Sequence, residues 1–529
     1  MATQAPLPGR YDPRLIEAAL ALNENRLEIA ERILKPYLKE DPFDAAAIRM
    51  LAELAARIGR IGDAENLLRR AVELAPGWAA PKANLALVLG RMGRPAEAME
   101  LLDDIFAEEP EELGHWNLKA ATLGRLGDFD EAIAMYEAVL RRAPGQPKVW
   151  VSYAHMLKTV ARLEDGIGAY RKAIELRPTL GEAWWSLANL KTVRFSGTDV
   201  EAMQRALETK DLSDDDRLHL DFALGKAMHD AGRFDDAFAH YSRANALRLK
   251  LQPYAPEDVR KLVERSIAIF TGEAFSQRSE GFESPEPIFI VGLTRSGSTL
   301  LEQILSSHSR VEGTSELQDI PILARRTGKY PQGVLGLTKE EREAIGEEYL
   351  KRTSVQRRTD RPFFVDKLPN NWMWVPFIHL ILPNAKIIDA RRHPLGCCIS
   401  NFRQHFAHGQ GWTYNLEHLG HYYSNYVRLM SHVDAVLPGR VHRVIYERMV
   451  DDTENEIRAL LDYCGLEFEP QVLEFYKTER AIRTPSSEQV RKPIYRDATE
   501  EWRAYEPYLE PLKHALGPVL DAYPDAPAP

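Results

Sequence analysis

The sequence predicts a multidomain protein, an all-α repeat superhelix followed by an α/β domain with a parallel central sheet. Three observations carry this reading. Prolines fall at Pro42, Pro76, Pro110, Pro144 and Pro178, each 34 residues after the last. A polar, turn-rich stretch from Gln277 to Pro287 separates the two halves. Directly after it, the short apolar run Ile288-Phe-Ile-Val291 has the look of a strand buried on both faces, and a glycine loop and a helical run follow.

The 34-residue period governs further columns in the first half. Small residues recur at Ala18, Ala52, Ala86, Ala120, Ala154 and Ala188, and again at Ala30, Ala64, Ala98, Ala132 and Gly166. Small side chains let paired helices approach closely. Asn25, Gly59, Gly93, Gly127 and Ala161 form a turn column, where a helix C-terminus takes a positive φ. Proline then stops the second helix of each unit. Leu101, Leu102, Ile133, Val139 and Leu140 supply apolar positions at helical spacing. The pattern resembles the tetratricopeptide repeat, with five clear units between about 11 and 178, and a sixth that degenerates after Leu190. A later unit runs from Phe222 to Ala237 and keeps the turn glycine, Gly232; the interruption near 191–216 reads as loop plus irregular helix. The resemblance implies a superhelix over 11–270 with a concave face for a peptide or protein partner, the alternative being a spacer or oligomerisation arm. Trp116, Trp150 and Trp184 keep the period and read as packing between repeats, with ligand stacking the weaker alternative.

Bulk properties bound the function. A chain of 529 residues exceeds one ordinary core. A net charge of -10 argues against a general nucleic-acid binder. Cys397, Cys398 and Cys464 lack CxxC spacing, so they read as reduced, partly buried thiols rather than disulfide or zinc ligands. The N-terminal residues have no basic start followed by an apolar run, and no uninterrupted apolar stretch of spanning length occurs; a cytoplasmic location is the expectation.

The chemistry lies in the second half. Gly292-Leu-Thr-Arg-Ser-Gly-Ser-Thr299 stands between the strand and Leu300-Leu-Glu-Gln-Ile-Leu305 at helical periodicity. That order sets backbone N–H groups and a helix N-terminus around an anion. The loop departs from the Walker A pattern at Ser298, where an NTPase needs lysine, so a kinase or ATPase reading loses its support. Arg295 supplies positive charge within the loop.

Arg295-Ser-Gly-Ser-Thr-Leu300 after an apolar strand resembles the 5′-phosphosulfate loop of sulfotransferases. A second landmark, Ala385 to Ser400, reads as strand, arginine-rich turn and helix; its Arg392 and Ser400, eight residues apart, match the family's pair for the donor's 3′-phosphate. The likeness is closest to the protein-tyrosine sulfotransferase branch. Glu316 lies 21 residues after Arg295, where that branch carries its catalytic glutamate; Asp366-Lys-Leu-Pro369 matches the segment of a catalytic lysine, here Lys367. Val444-Ile-Tyr446-Glu447 matches a strand ending in the tyrosine that touches the donor nucleotide, and Ser486 to Pro493 resembles a late loop whose serine and lysine, here Ser487 and Lys492, close over it.

The resemblance therefore implies an α/β P-loop-like sulfotransferase domain over 285–522, without obvious match at Tyr330 to Asp360 and His405 to His421. It implies 3′-phosphoadenosine 5′-phosphosulfate as co-substrate, held by Arg295, Ser296, Gly297, Ser298, Thr299, Arg392, Ser400, Tyr446, Ser487 and Lys492, with no metal. Glu316 would act as general base toward an acceptor hydroxyl, with Lys367 and Arg295 stabilising developing charge. Taken alone, Glu316 is an exposed loop carboxylate. Histidine as base is the alternative, although none of His308, His379, His393, His405, His408 and His421 has a distinguishing spacing; His393 is a possible donor contact, and His405 and His408 read as surface or loop residues. The acceptor implied is a protein or peptide tyrosine, with a carbohydrate or small-molecule hydroxyl as the alternative. A repeat scaffold that binds nucleotide without turnover is the competing class.

Overall fold

The computed structural model describes residues 12–407, 409–478, 480, 487–494 and 499–527. The chain forms two compact units, Met1–Lys172 and Ala173–Pro529, divided within helix Leu163–Leu176.

In the first unit, consecutive helices pack in pairs, from Pro13–Asn23 with Leu27–Glu40 to Leu113–Leu126 with Phe129–Arg142. The small-residue columns are its core: Ala18, Ala52, Ala120, Ala154, Ala30, Ala64, Ala98 and Ala132 are all 0% exposed. The turn column takes the left-handed conformation throughout, Ala161 (φ 65°) included. The tryptophans depart from simple core packing. Each indole N–H donates to the carbonyl of a column proline, Trp116 to Pro110 at 2.6 Å, Trp150 to Pro144 at 2.8 Å and, in the second unit, Trp184 to Pro178 at 2.9 Å. Only Trp184 is fully buried; Trp116 and Trp150 are half-exposed. They tie consecutive repeats through a main-chain acceptor that the helix end leaves open.

The second unit begins with short helix Gly181–Ala188. The stretch expected to be irregular holds a regular helix, Gly197–Leu207, started by a capping box between Ser196 and Asp199. The polarity that suggested a loop is that of a capped helix with two buried side chains, Met203 and Ala206. Helices Asp214–Asp230 and Phe234–Leu251 then form a hairpin turned at Gly232.

Five parallel strands follow: β1 (Pro287–Gly292), β2 (Val311–Ser315), β3 (Phe363–Lys367), β4 (Lys386–Arg391) and β5 (Val441–Ile445), in the order β2-β3-β1-β4-β5. All six residues of β1 are buried, as a central parallel strand covered on both faces requires. From β1 the chain runs to one edge and back to β3, then crosses β1 to build β4 and β5 on the other side. β1 and β4, paired with Gly292 opposite Ala390, thus lie at the switch point, where an open α/β sheet forms its crevice. Helix Ser298–Ser306 packs Leu301, Ile304 and Leu305 onto Ile288, Ile290 and Val365, fixing the loop before it.

Candidate active site

The loop after β1 turns through two left-handed residues, Arg295 (φ 67°) and Gly297 (φ 97°), before helix Ser298–Ser306 starts. Arg295, Gly297, Ser298 and Thr299 line a cleft together with Arg392, Ser400, Tyr446 and Lys492. The cavity they enclose is about 110 Å³, smaller than the usual pocket for a drug-sized ligand, and it opens to solvent.

Local geometry assigns each side chain. On β4 and the turn after it, successive arginines diverge. Arg391 points into the core, paired with Asp389 at 2.9 Å and stacked on Tyr426, whereas Arg392 reaches the cleft over the Tyr446 ring, 4.8 Å from its centroid. Arg392 donates to the Arg295 carbonyl at 3.2 Å, so the second landmark braces the first. Ser400, on helix Pro394–Phe402, accepts from Arg295 Nε at 3.0 Å. One turn end of the same helix supplies Asn401, whose amide donates to the Thr294 carbonyl at 2.8 Å. Arg295 Nη2 donates to Gln489 Oε1 at 3.2 Å, which brings in the late segment.

Four expected residues lie off the cleft wall, the donor-binding candidates Ser296 and Ser487 and the catalytic candidates Glu316 and Lys367. Ser296 turns its hydroxyl inward to the Leu293 carbonyl at 2.7 Å. Ser487 is 0% exposed and donates to Glu488 at 3.4 Å. Ser486 and His408 fall outside the described residues.

Glu316 and Lys367 form a second centre, at the C-terminal ends of β2 and β3. Lys367 Nζ lies 2.5 Å from Glu316 Oε1, and their side chains are 1% and 45% exposed. A further carboxylate stands behind the lysine: Glu302 Oε2 is 3.8 Å from Lys367 Nζ, and Glu302 Oε1 accepts from Arg480 at 3.0 Å. Sequence reasoning missed Glu302, Arg480 and Gln489. A legible signal existed for Glu302, a lone charge inside the apolar helical run Leu300 to Leu305.

The histidines serve elsewhere. His308 is buried, its Nε2 2.9 Å from the Glu467 carbonyl. His379 is buried, and burial pushes it down to about 4. His393 stacks on Trp502 at 5.4 Å, and burial lowers it. His405, read as a helix-surface or loop residue, lies in a loop but is 8% exposed between Phe222 and His219, with ring centroids at 5.3 and 4.7 Å. The helical hairpin covers it, a tertiary contact that no local pattern reveals.

That hairpin also braces the cleft. Phe238 stacks on Tyr508 at 4.2 Å, and the Asn245 amide donates to the Phe402 carbonyl at 2.9 Å. His229 lies 2.9 Å from the Tyr505 hydroxyl; burial, with the Arg403 charge, lowers it to about 3 and keeps it neutral. Arg403 pairs at 2.9 Å with Glu501, a cleft residue. Burial pushes the Glu501 carboxyl up, and Arg403 outweighs it, leaving it below the ordinary range.

Among the described residues, no group of three or more His, Cys, Asp or Glu side chains is arranged around a metal position. Cys397, Cys398 and Cys464 are free and buried. No described helix is long and apolar enough to cross a membrane.

Comparison with known proteins bears on both units. Residues 17–78 and 84–147 match the tetratricopeptide repeat, and residues 287–470 match the sulfotransferase family. An uncharacterized protein of Aquifex aeolicus (strain VF5) is 37% identical over 331 residues, covering 60% of this chain and 44% of that protein. The chain thus spans less than half of that relative. A putative protein-tyrosine sulfotransferase of Caenorhabditis briggsae is 24% identical over 223 residues, covering 41% of this chain and 80% of that protein. The sulfotransferase domain of the Synechococcus PCC 7002 olefin synthase aligns at a TM-score of 0.33 and 22% identity, over 42% of this chain and 90% of the domain. Residues 287–470 therefore form a sulfotransferase-family domain, joined in one chain to an array of tetratricopeptide repeats.

Proposed function

We propose that the protein is a cytoplasmic sulfotransferase that moves a sulfuryl group from 3′-phosphoadenosine 5′-phosphosulfate to an acceptor hydroxyl, a protein or peptide tyrosine in the first instance. Residues 285–522 carry the reaction, and the array over 11–270 holds the acceptor or a protein partner. The observation that carries the reading is the cleft: residues from two sequence motifs about 100 positions apart line it together at the sheet's switch point.

The residues fit the donor. Arg295, Arg392 and Lys492 give the cleft cationic charge, and the backbone and hydroxyls of Gly297 to Thr299 suit a 5′-linked anion. Arg392 and Ser400 suit a separate phosphate. When bound, the donor supplies an activated sulfuryl group. Glu316, the more exposed member of its pair, takes the proton from the acceptor hydroxyl as its oxygen bonds to sulfur and the sulfur–oxygen bond to the donor breaks. Lys367 and Arg295 steady the negative charge that gathers on the departing side.

Transfer of labelled sulfate from the donor to tyrosine-containing peptides and to lysate proteins tests this. Glu316→Gln should lower kcat at least a hundredfold while leaving the affinity for adenosine 3′,5′-bisphosphate within about twofold. Tight binding of the bisphosphate with no transfer to any acceptor would overturn the transferase reading in favour of a nucleotide-binding scaffold. Labelling confined to carbohydrate or metabolites would move the acceptor away from tyrosine.

A further inference from the structure

The second centre contains one more carboxylate than an acid–base pair needs. Lys367 is 1% exposed, and an ammonium so deeply buried is costly unless it is paired. It has two partners of different character. Glu316, at 2.5 Å, is 45% exposed at the end of β2 and open to an acceptor. Glu302, at 3.8 Å, is 3% exposed on the helix that follows the donor loop, and no acceptor reaches it.

We propose that Glu302 is a positioning residue for the transfer step, the counter-ion that keeps Lys367 charged and in place once Glu316 has taken the acceptor's proton. This rests on the roles given above to Glu316 and Lys367. Before proton transfer the four groups Glu302, Glu316, Lys367 and Arg480 sum to zero charge. Afterwards Glu316 is neutral and the lysine has lost its nearer partner. A buried ammonium without a partner is costly to hold in place, and a displaced one no longer steadies a departing anion. Glu302, 3.8 Å from the ammonium, remains as its partner.

The surroundings hold Glu302 in that role. Arg480 Nη1 donates to its Oε1 at 3.0 Å, leaving Oε2 toward the lysine. Arg480 is itself oriented by Gln303, which accepts from its Nε at 2.7 Å, and Gln303 donates to the carbonyls of Phe475 and Thr478 at 3.0 Å each. Among the described residues, Asp366, which precedes Lys367 in β3, is a further ionisable neighbour of the lysine, and burial pushes its carboxyl well up. Once Glu316 is neutral, the four-group cluster carries one positive charge, opposite in sign to the group in transit.

Glu302→Gln in the full chain tests the assignment. Its kcat should fall at least tenfold, while the affinity for adenosine 3′,5′-bisphosphate stays within about twofold. The alkaline limb of the kcat–pH profile should move down by about one pH unit or more. Glu302→Asp should restore part of both. A readout independent of turnover is the pH dependence of Lys367 carbamylation by cyanate, followed by mass spectrometry; its midpoint should fall in Glu302→Gln. Arg480→Met, which frees Glu302 from its competing cation, should move the midpoint the opposite way. Unchanged midpoints in both variants overturn the proposal, and so does a shifted midpoint with an unshifted kcat–pH profile. Absence of sulfate transfer by the wild-type protein, with both variants still shifting the midpoint, would refute the transferase reading while leaving Glu302 as the lysine's counter-ion.

Discussion

Gly297 answers two demands at once. Its φ of 97° lies where a side chain is strained, and a Cβ there would stand 2.7 Å from the Tyr446 ring. The close approach has a consequence for the cleft, because Tyr446 also carries Arg392 over its face. Pushing the ring away displaces the arginine read here as the 3′-phosphate ligand. Gly297→Ala should therefore weaken binding of adenosine 3′,5′-bisphosphate at least tenfold by calorimetry, beyond the roughly 1–3 kcal/mol of backbone strain in stability. The same substitution in a Tyr446→Ala background meets no ring. If its effect on affinity is as large there as in the wild type, displacement of the ring is not the cause. At this scale the sequence was readable only in part. Arg392 could be told from Arg391 by motif position, and strand alternation explains the choice. Ser296 could not be told from Ser298, because which hydroxyl turns inward to the Leu293 carbonyl depends on the loop's left-handed residues.

The strand β3 shows how an element distributes its side chains. Asp366 and Lys367 are consecutive, so they face opposite sides of the sheet. Lys367 meets the carboxylates of the active side, and Asp366 accepts from the Tyr349 hydroxyl at 2.9 Å, securing helix Lys339–Thr353. Burial raises the Asp366 carboxyl well above its ordinary 3.8. A raised folded-state value means the folded protein holds this proton more tightly than the unfolded chain. The stability it confers is complete below 3.8 and is lost as pH rises toward the folded-state value, at most about 1.4 kcal/mol per pH unit. Asp366→Asn keeps an acceptor for Tyr349 and removes the titration. Its Tm relative to wild type should climb as pH goes from 5 to 8; a difference constant across that range would show that Asp366 does not titrate there. Helices and strands with strong periodicity were legible at this scale, from the alanine columns to Ile288–Val291. Helix Gly197–Leu207 was not, because a capped polar helix that buries only Met203 and Ala206 lacks the apolar stripe that reveals others.

At the scale of the molecule, a change in composition and a structural boundary need not coincide. The turn-rich stretch from Gln277 to Pro287 marks the passage from helices to sheet, whereas the compact units divide between Lys172 and Ala173. The reason lies in what the helices after the division touch. Phe238 and His229 pack on Tyr508 and Tyr505, Asn245 caps the carbonyl end of the helix that bears Ser400, and Trp185, His219 and Phe222 enclose His405. None of these pairings could be read locally, since each joins residues more than 150 positions apart. They bear on function because Arg403, stacked against Tyr505, holds Glu501 at the cleft wall. A fragment starting at residue 285 would lose the hairpin and expose this aromatic face, so it should aggregate or bind adenosine 3′,5′-bisphosphate at least tenfold more weakly. A fragment starting at Ala173 keeps every one of these contacts and should bind like the full chain. Calorimetry on the two fragments checks both expectations. Equal, wild-type affinity in both would show that the hairpin is packed against the transferase domain without supporting its donor cleft.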